Sequence, residues 1–147
     1  MYTEQLSSAL SPVTINPQTL TNATTTSPAL NMLYFRRAMG FVAVGACPVG
    51  GIVTAALYAA TTQSATYNVV PNSVINSISV STLQALIEMR ADLMPSGTQW
   101  LKLQIRESGS QNVLVCGVLF GGEAAEKPAS NQNNTAAVTQ LLQVTTS

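Results

Sequence analysis

The chain has 147 residues, of which 46% are hydrophobic and only 8% are charged, with six basic and six acidic side chains that cancel. This balance argues against a nucleic-acid partner, because such binding depends on several cations that neutralise phosphates. The sequence has no histidine and only two cysteines, which excludes His-based triads and Cys/His zinc sites. We therefore expect neither an enzyme nor a cofactor or metal. We expect instead a surface covered by protein partners, because so little charge leaves little repulsion between molecules.

The N-terminal part looks unlike a packed domain. Residues 1–31 contain one charge, Glu4, together with three prolines and many serines and threonines. The run from Thr24 to Pro28 shows neither the 3.6-residue period of a helix nor the two-residue period of a strand. The sequence therefore predicts an extended arm over 1–31, followed by a compact domain over 32–124.

No charge occurs between Arg37 and Glu88, and within this gap residues 39–60 are long and apolar enough to suggest a membrane span. Pro48 and several glycines interrupt the stretch near its centre, which favours a strand, a turn and a second strand. We therefore predict no membrane partner.

The charge-free half contains three predicted strands of small side chains, at 52–59, 66–70 and 74–80. Turn-forming residues separate them at 61–64 and 71–72. Several short strands between turn signals are typical of a β-sandwich or jelly roll.

The stretch from Thr82 to Leu93 gives the clearest pattern, since apolar and polar side chains alternate at eleven of its twelve positions. A helix is the competing interpretation, because Ser81 and Gln84 have the spacing of a capping box. All three charged residues of the stretch nevertheless fall on one face at a period of two, which favours a half-buried strand.

Two more strands follow, separated by short turns. Residues 100–106 alternate again, with Leu101, Leu103 and Ile105 predicted to point inward, and residues 112–120 form a nearly continuous apolar strand that Gly121-Gly122 is expected to end. Turns at 94–98 and 108–110 would join the three strands into an antiparallel meander. In that meander Glu88, Arg90 and Asp92 would lie opposite Lys102 and Arg106.

The chain closes with a tail over 125–147, which carries no charge after residue 127. Its apolar stretch at 136–144 fits a short strand or a short helix. We predict that this tail, like the N-terminal arm, docks on neighbouring molecules; plain disorder is the alternative.

Two further features have modest interpretations. Cys47 and Cys116 are predicted to be free thiols, because buried free thiols are common and one pair of cysteines cannot define a redox compartment; a single disulfide is the alternative if their strands meet. Tyr58, Tyr67 and Trp100 would line a carbohydrate site only if they shared a groove.

The series ALIEMRADLMPSGTQWLKLQIRESGSQNVLVCGVLFGG resembles the C-terminal half of small virion proteins of tailed bacteriophages, and GGIVTAALYAATTQSATYNVV is similar to an earlier passage of those chains. The resemblance covers about 31–122. It implies an all-β antiparallel β-sandwich, jelly-roll-like, with extended N- and C-terminal arms. It also implies a capsid decoration (cement) protein, often a homotrimer, that binds over junctions of the major capsid protein on the outside of the virion and has no catalytic residues.

On this interpretation the partners are the major capsid protein and further copies of the chain. The predicted contact residues come from the arm and from the aromatic-basic passage after it, and they are Tyr2, Leu6, Leu10, Tyr34, Phe35, Arg36 and Arg37. Two rival functions remain: a carbohydrate- or receptor-binding module of a phage tail or fibre, and a membrane-anchored structural protein that uses 39–60 as its span.

Overall fold

A computed structural model of the protein describes residues 10–78 and 83–124. These residues form two antiparallel sheets that pack face to face, which confirms the predicted all-β sandwich. The strands are β1 (Ser11–Leu20), β2 (Thr24–Thr26), β3 (Leu30–Asn31), β4 (Phe35–Val44), β5 (Val53–Ala60), β6 (Asn68–Val69), β7 (Ile75–Ile78), β8 (Gln84–Arg90), β9 (Trp100–Glu107) and β10 (Val113–Ala124).

The chain passes several times from one sheet to the other. The four-stranded sheet has the order β1-β10-β4-β8, and the six-stranded sheet has the order β2-β9-β5-β6, with β3 added beside β9 and β7 beside β5. This order is that of a jelly roll, in which strands distant in sequence become neighbours.

The core lies between the sheets and is built by the two-residue period. Leu101, Leu103 and Ile105 of β9 point inward as predicted, and each is fully buried. They meet inward side chains of the opposite sheet such as Val42 and Leu119, which are fully buried as well. Burial of one such side chain contributes about 1.5–3 kcal/mol, so this layer supplies most of the driving force for folding.

The predicted N-terminal arm is wrong from Ser11 onward. β1 pairs with β10 along most of its length, and β2 and β3 both pair with β9. Val13 and Ile15 are buried in the core. Removal of residues 1–30 would therefore take β1 and β2 out of the sandwich. Residues 1–9 and the tail over 125–147 lie outside the described residues.

The predicted meander is also wrong, although its strands are present. β8 and β10 lie in the four-stranded sheet, whereas β9 lies in the six-stranded sheet. The charged residues of β8 therefore do not face Lys102 and Arg106, which point outward from the opposite sheet. Alternation along a strand fixes which side chains are buried but does not identify the neighbouring strand.

The strand boundaries differ from the predictions at two places. β8 ends at Arg90, and Ala91–Leu93 form a short 3-10 helix. β10 continues through Gly121 and Gly122, because the glycine serves close packing there: a Cβ atom on Gly121 would lie 2.6 Å from the Phe35 ring.

The charge-free stretch 39–60 is divided between β4 and β5 with a loop between them, as the strand interpretation predicted. Within the described ranges, no helix is long and apolar enough to cross a membrane. Ile75–Ile78 covers the first part of the strand predicted over 74–80, and residues 79–82 lie outside the described residues.

Candidate docking surface

The outer face of the four-stranded sheet is apolar, which is unusual for a sheet face that points away from the core. The register places Thr14, Val118, Phe41 and Leu86 side by side in one row across all four strands. The rows on either side are apolar on β10 and β4, where Phe120 lies beside Met39 and Cys116 beside Ala43, and each row ends on a polar residue of β8, Glu88 or Gln84. We call this surface the apolar face and define it by Pro12, Met39, Phe41, Ala43, Leu86, Cys116, Val118 and Phe120.

These side chains are half-buried by their neighbours rather than covered by another part of the described chain, and Leu86 retains 53% of its accessible surface. Its eight positions, each about 6.8 Å along the strand by about 4.8 Å across the sheet, cover roughly 260 Å². The largest apolar patch on a typical monomer is of this order, and such a patch is often functional.

The outer face of the six-stranded sheet has a different character. Its outward residues are mixed, since Thr54, Lys102, Gln104 and Arg106 stand beside Ala56, Tyr58, Ala60 and Trp100. The Lys102 ammonium lies 4.2 Å from the centre of the Tyr67 ring, a cation–π contact. Polar and charged side chains are thus spread over this face, whereas on the four-stranded sheet they stand at the border of the apolar face.

Charged residues border the apolar face at one end only. Arg37 of β4 contacts Glu88 at 3.4 Å and Glu123 at 3.1 Å, and Arg90 pairs with Asp92. The pKa of Arg37 is raised, first by its hydrogen bond to Glu123. All of these side chains are at least half exposed, so the ion pairs contribute little stability and instead mark the limit of the apolar area.

The sequence-predicted contact residues are partly brought together at this charged end. Leu10 and Arg37 line a shallow groove of about 210 Å³ that opens onto Phe120 and Met39 of the apolar face. Arg36 and Phe35 line a second groove of about 580 Å³.

The remaining predicted contact residues have different environments. Tyr34 is 43% exposed, whereas the Phe35 ring is buried and unavailable for a partner. Tyr2 and Leu6 lie outside the described residues.

The sequence analysis missed the centre of the surface. Met39, Phe41 and Ala43 occupy the outward positions of β4, and Cys116, Val118 and Phe120 occupy those of β10. Both strands read as continuously apolar, a signal that indicates burial on both faces. That signal was present in the sequence and was used only to place a strand.

One buried carboxylate lies away from this surface. Glu107 accepts hydrogen bonds from the backbone N–H groups of Asn22 (2.6 Å), Gly109 (2.6 Å) and Gln111 (3.4 Å). Burial on its own would raise the pKa of Glu107, but these hydrogen bonds outweigh it, and the pKa lies below its ordinary value. All three hydrogen bonds come from backbone amides of loops. The Glu107 carboxylate therefore joins these loops and is not arranged for acid–base chemistry.

Cys47 and Cys116 are both free thiols, as predicted. In the part of the chain that the structure describes, no group of three or more potential ligands is placed to hold a metal ion.

The three aromatic residues of the carbohydrate alternative share one face. Tyr58 lies opposite Lys102, whose ammonium contacts the Tyr67 ring, and Trp100 is the neighbouring outward residue of β9. A groove of about 380 Å³ on this face includes Tyr58.

No protein-family model matches the chain, and no curated protein matches it in sequence. Among solved structures, a chain from infectious bursal disease virus, Gx strain, aligns with a TM-score of 0.51 at 13% identity over 82% of this chain. The present chain spans only 34% of that longer chain.

Two other solved structures are similar at lower scores. A chain of the Bacillus endospore appendages, described as disulfide-linked pili, has a TM-score of 0.45 at 16% identity and covers 77% of this chain and 86% of its own. A chain of Mud crab tombus-like virus has a TM-score of 0.26 at 9% identity, with 90% and 89% covered. At these identities the similarity concerns the fold, and the first of the three places this chain among jelly-roll-like β-sandwiches.

Proposed function

We propose that the protein is a non-enzymatic structural component of a virion, which binds the outside of a bacteriophage capsid and contacts the major capsid protein through its apolar face. The observation that carries this proposal is the apolar face itself. The sheet directs the side chains of Met39, Phe41, Val118 and Phe120 away from the core. Contact between apolar surface and water is unfavourable, so burial of these side chains against a partner would be favourable.

Three further observations support a structural role. Charge is scarce throughout the chain, and the charged pairs near the apolar face stand at its border, as in interfaces with an apolar centre and a polar rim. The jelly-roll-like fold also occurs in a virus structure, that of infectious bursal disease virus. The buried carboxylate of Glu107 accepts hydrogen bonds from backbone amides, which gives it a structural role. A homotrimer, implied by the resemblance to decoration proteins, stays a prediction.

The proposal is tested by co-sedimentation of the purified chain with assembled icosahedral particles of the phage that carries its gene. The variant Phe41→Ser removes an aromatic side chain from the centre of the apolar face. Loss of a central aromatic anchor costs about 2 kcal/mol or more, so binding is expected to weaken about thirtyfold.

Tyr58→Ser is the matched control, because Tyr58 is a half-buried aromatic residue that points outward from the middle of the other sheet. We expect Tyr58→Ser particles to keep wild-type occupancy. Equal binding of both variants, or a loss restricted to Tyr58→Ser, would show that the apolar face is not the capsid contact.

A further inference from the structure

One edge of the four-stranded sheet is regular and has no neighbouring strand among residues 10–78 and 83–124. β8 lies at this edge, and within those ranges it pairs only with β4. The Val44 N–H donates to the Leu83 carbonyl at 2.7 Å, which defines the hydrogen-bonded pairs of this ladder. Because such pairs recur at every second residue, Ala85, Ile87 and Met89 direct their backbone groups to β4. The backbone groups of Gln84, Leu86, Glu88 and Arg90 therefore point to the open side.

The opposite edge, β1, is closed to pairing. The Gly45 N–H donates to the Leu114 carbonyl, and the same alternation carried across β10 leaves Pro12 and Thr14 of β1 directed outward. Pro12 has no N–H to donate. The register also shifts between Ile15 and Gln18, around Pro17, which breaks the regular spacing of the edge. Prolines and bulges of this kind protect an edge strand from other strands.

A groove of about 340 Å³ beside β8 is lined by Ile87, Glu88 and Met89 and by the loop that contains Val70 and Asn72. No described segment occupies the hydrogen-bonding side of the strand. An exposed, regular edge of seven residues without proline is a template for strand addition.

We propose that the open edge of β8 pairs antiparallel with β8 of a second copy, which makes a two-fold dimer with one continuous eight-stranded sheet. The register centred on Ile87 matches all four outward-pointing residues of one copy with all four of the other. Gln84 then lies opposite Arg90 of the second copy, and Leu86 lies opposite the second copy's Glu88. No like charges stand directly opposite each other.

The two neighbouring two-fold registers are less favourable. A register centred on Glu88 places the two Glu88 carboxylates opposite each other, which is destabilising. A register centred on Leu86 pairs three residues of each strand instead of four. One register therefore pairs the whole open edge of β8 with the same edge of a second copy and opposes no like charges, and this is the reason for assigning a second copy to the edge.

The dimer also changes the apolar area that one sheet presents. Leu86 stands at the β8 border of the apolar face, so pairing places the apolar faces of both copies on one continuous sheet, with the outward Gln84, Glu88 and Arg90 of each copy between them. Together the two faces present roughly 500 Å² of apolar positions, twice the area of one copy. The pairing itself requires only the open edge, and it stands whether or not the capsid is the partner of that surface.

The first test is the mass in solution, measured by light scattering over a concentration series. The wild-type chain should approach twice the monomer mass of 15.4 kDa. Leu86→Pro removes an N–H that points to the open edge and leaves the β4 ladder intact, so this variant should stay a monomer with a wild-type circular dichroism spectrum. Thr14→Pro makes the same change on the closed edge and should stay a dimer.

The second test does not depend on a proline being tolerated. The pair Leu86→Cys and Glu88→Cys, in a Cys116→Ser background, should form an intermolecular disulfide on mild oxidation, because the Ile87-centred register makes these positions direct partners. Glu88→Cys alone should not. A monomeric or trimeric wild type, a dimeric Leu86→Pro, or cross-linking by Glu88→Cys alone would overturn the proposal. A monomer whose β8 edge amides become exposed to hydrogen exchange only after deletion of residues 125–147 would overturn it in favour of the chain's own tail.

Discussion

The two edges of the four-stranded sheet belong to one sheet but differ in what they offer a neighbouring strand. β1 directs a proline outward and has an irregular register near Pro17, whereas β8 is regular over Gln84–Arg90 and contains no proline. The difference arises from very few residues. It shows that the choice of which edge remains open is made locally, by the residue that occupies a position whose N–H would point outward.

The largest expected effect comes from a proline at a position of an edge strand whose N–H bonds to the neighbouring strand. Val13 of β1 directs its N–H to β10 and is fully buried, whereas Thr14 directs its N–H outward. Val13→Pro should destabilise the protein by about 2 kcal/mol or more, because it removes a ladder hydrogen bond and leaves its buried acceptor on β10 unpaired. Thr14→Pro should change the free energy of unfolding by less than about 1 kcal/mol.

Urea unfolding of both variants measures this difference. If the two prolines destabilised the protein equally, the assignment of inward and outward N–H groups along β1 would be wrong. The assignment of β8 would then be wrong as well, because both rest on the same alternation.

A second prediction concerns how the end of β1 is held. Glu107 accepts the N–H of Asn22 in the turn after β1. The folded-state pKa of Glu107 is lowered from 4.5, so its stabilising contribution is present above about pH 4.5 and is lost as the pH falls through the folded-state pKa. Glu107→Gln should therefore lower the Tm at neutral pH, and this difference from wild type should shrink in acid.

Thermal unfolding followed by circular dichroism from about pH 7 to about pH 3 checks the effect. A constant difference in Tm at every pH would mean that the carboxylate charge does not hold the turn. Glu88→Gln is the matched control, because Glu88 is exposed and engaged only in a surface ion pair.

The smallest expected effect on stability comes from opening the closed edge. Pro12→Val restores an outward-pointing N–H on β1 and adds a β-branched residue that strands favour. The free energy of unfolding should change by less than about 1 kcal/mol, but the chain would then have two open edges. Light scattering should detect species larger than the wild type. An unchanged mass distribution would show that Pro12 is not what closes the β1 edge.

Much of the sandwich could be predicted from the sequence, because burial in a strand follows parity. The alternation of β8 and the inward set Leu101, Leu103 and Ile105 required only the two-residue period. Strand pairing could not be predicted in the same way. β8, β9 and β10 follow one another along the chain but alternate between sheets, and parity contains no information about the neighbour.

The N-terminal strands were missed because Thr- and Ser-rich composition outweighed a short pattern. Val13 and Ile15 alternate with Thr14 and Asn16, and this alternation extends over too few residues to stand out between two prolines. Glycine was misinterpreted for a related reason. Gly121 was expected to end a strand, but its missing side chain makes room for the Phe35 ring.

The candidate site was predicted only at its border. Leu10 and Arg37 lie at the end of the apolar face, and its centre on β4 and β10 was not identified. A continuously apolar strand indicates that both of its faces are covered. The sequence of one chain does not show whether the covering surface belongs to that chain or to another molecule. Among the described residues, the inner face of β4 and β10 packs on the opposite sheet, and no other strand packs on their outer face.

The position of β10 has a consequence for biosynthesis. This strand is the last of the described strands to leave the ribosome, yet it lies in the middle of its sheet, between β1 and β4. β1 and β4 therefore lack their shared neighbour until translation has passed Ala124. During that interval the nascent chain exposes one edge of each strand with unpaired backbone groups. A stall or truncation before that codon should yield an insoluble product rather than a smaller folded one, because the missing piece is central and not peripheral.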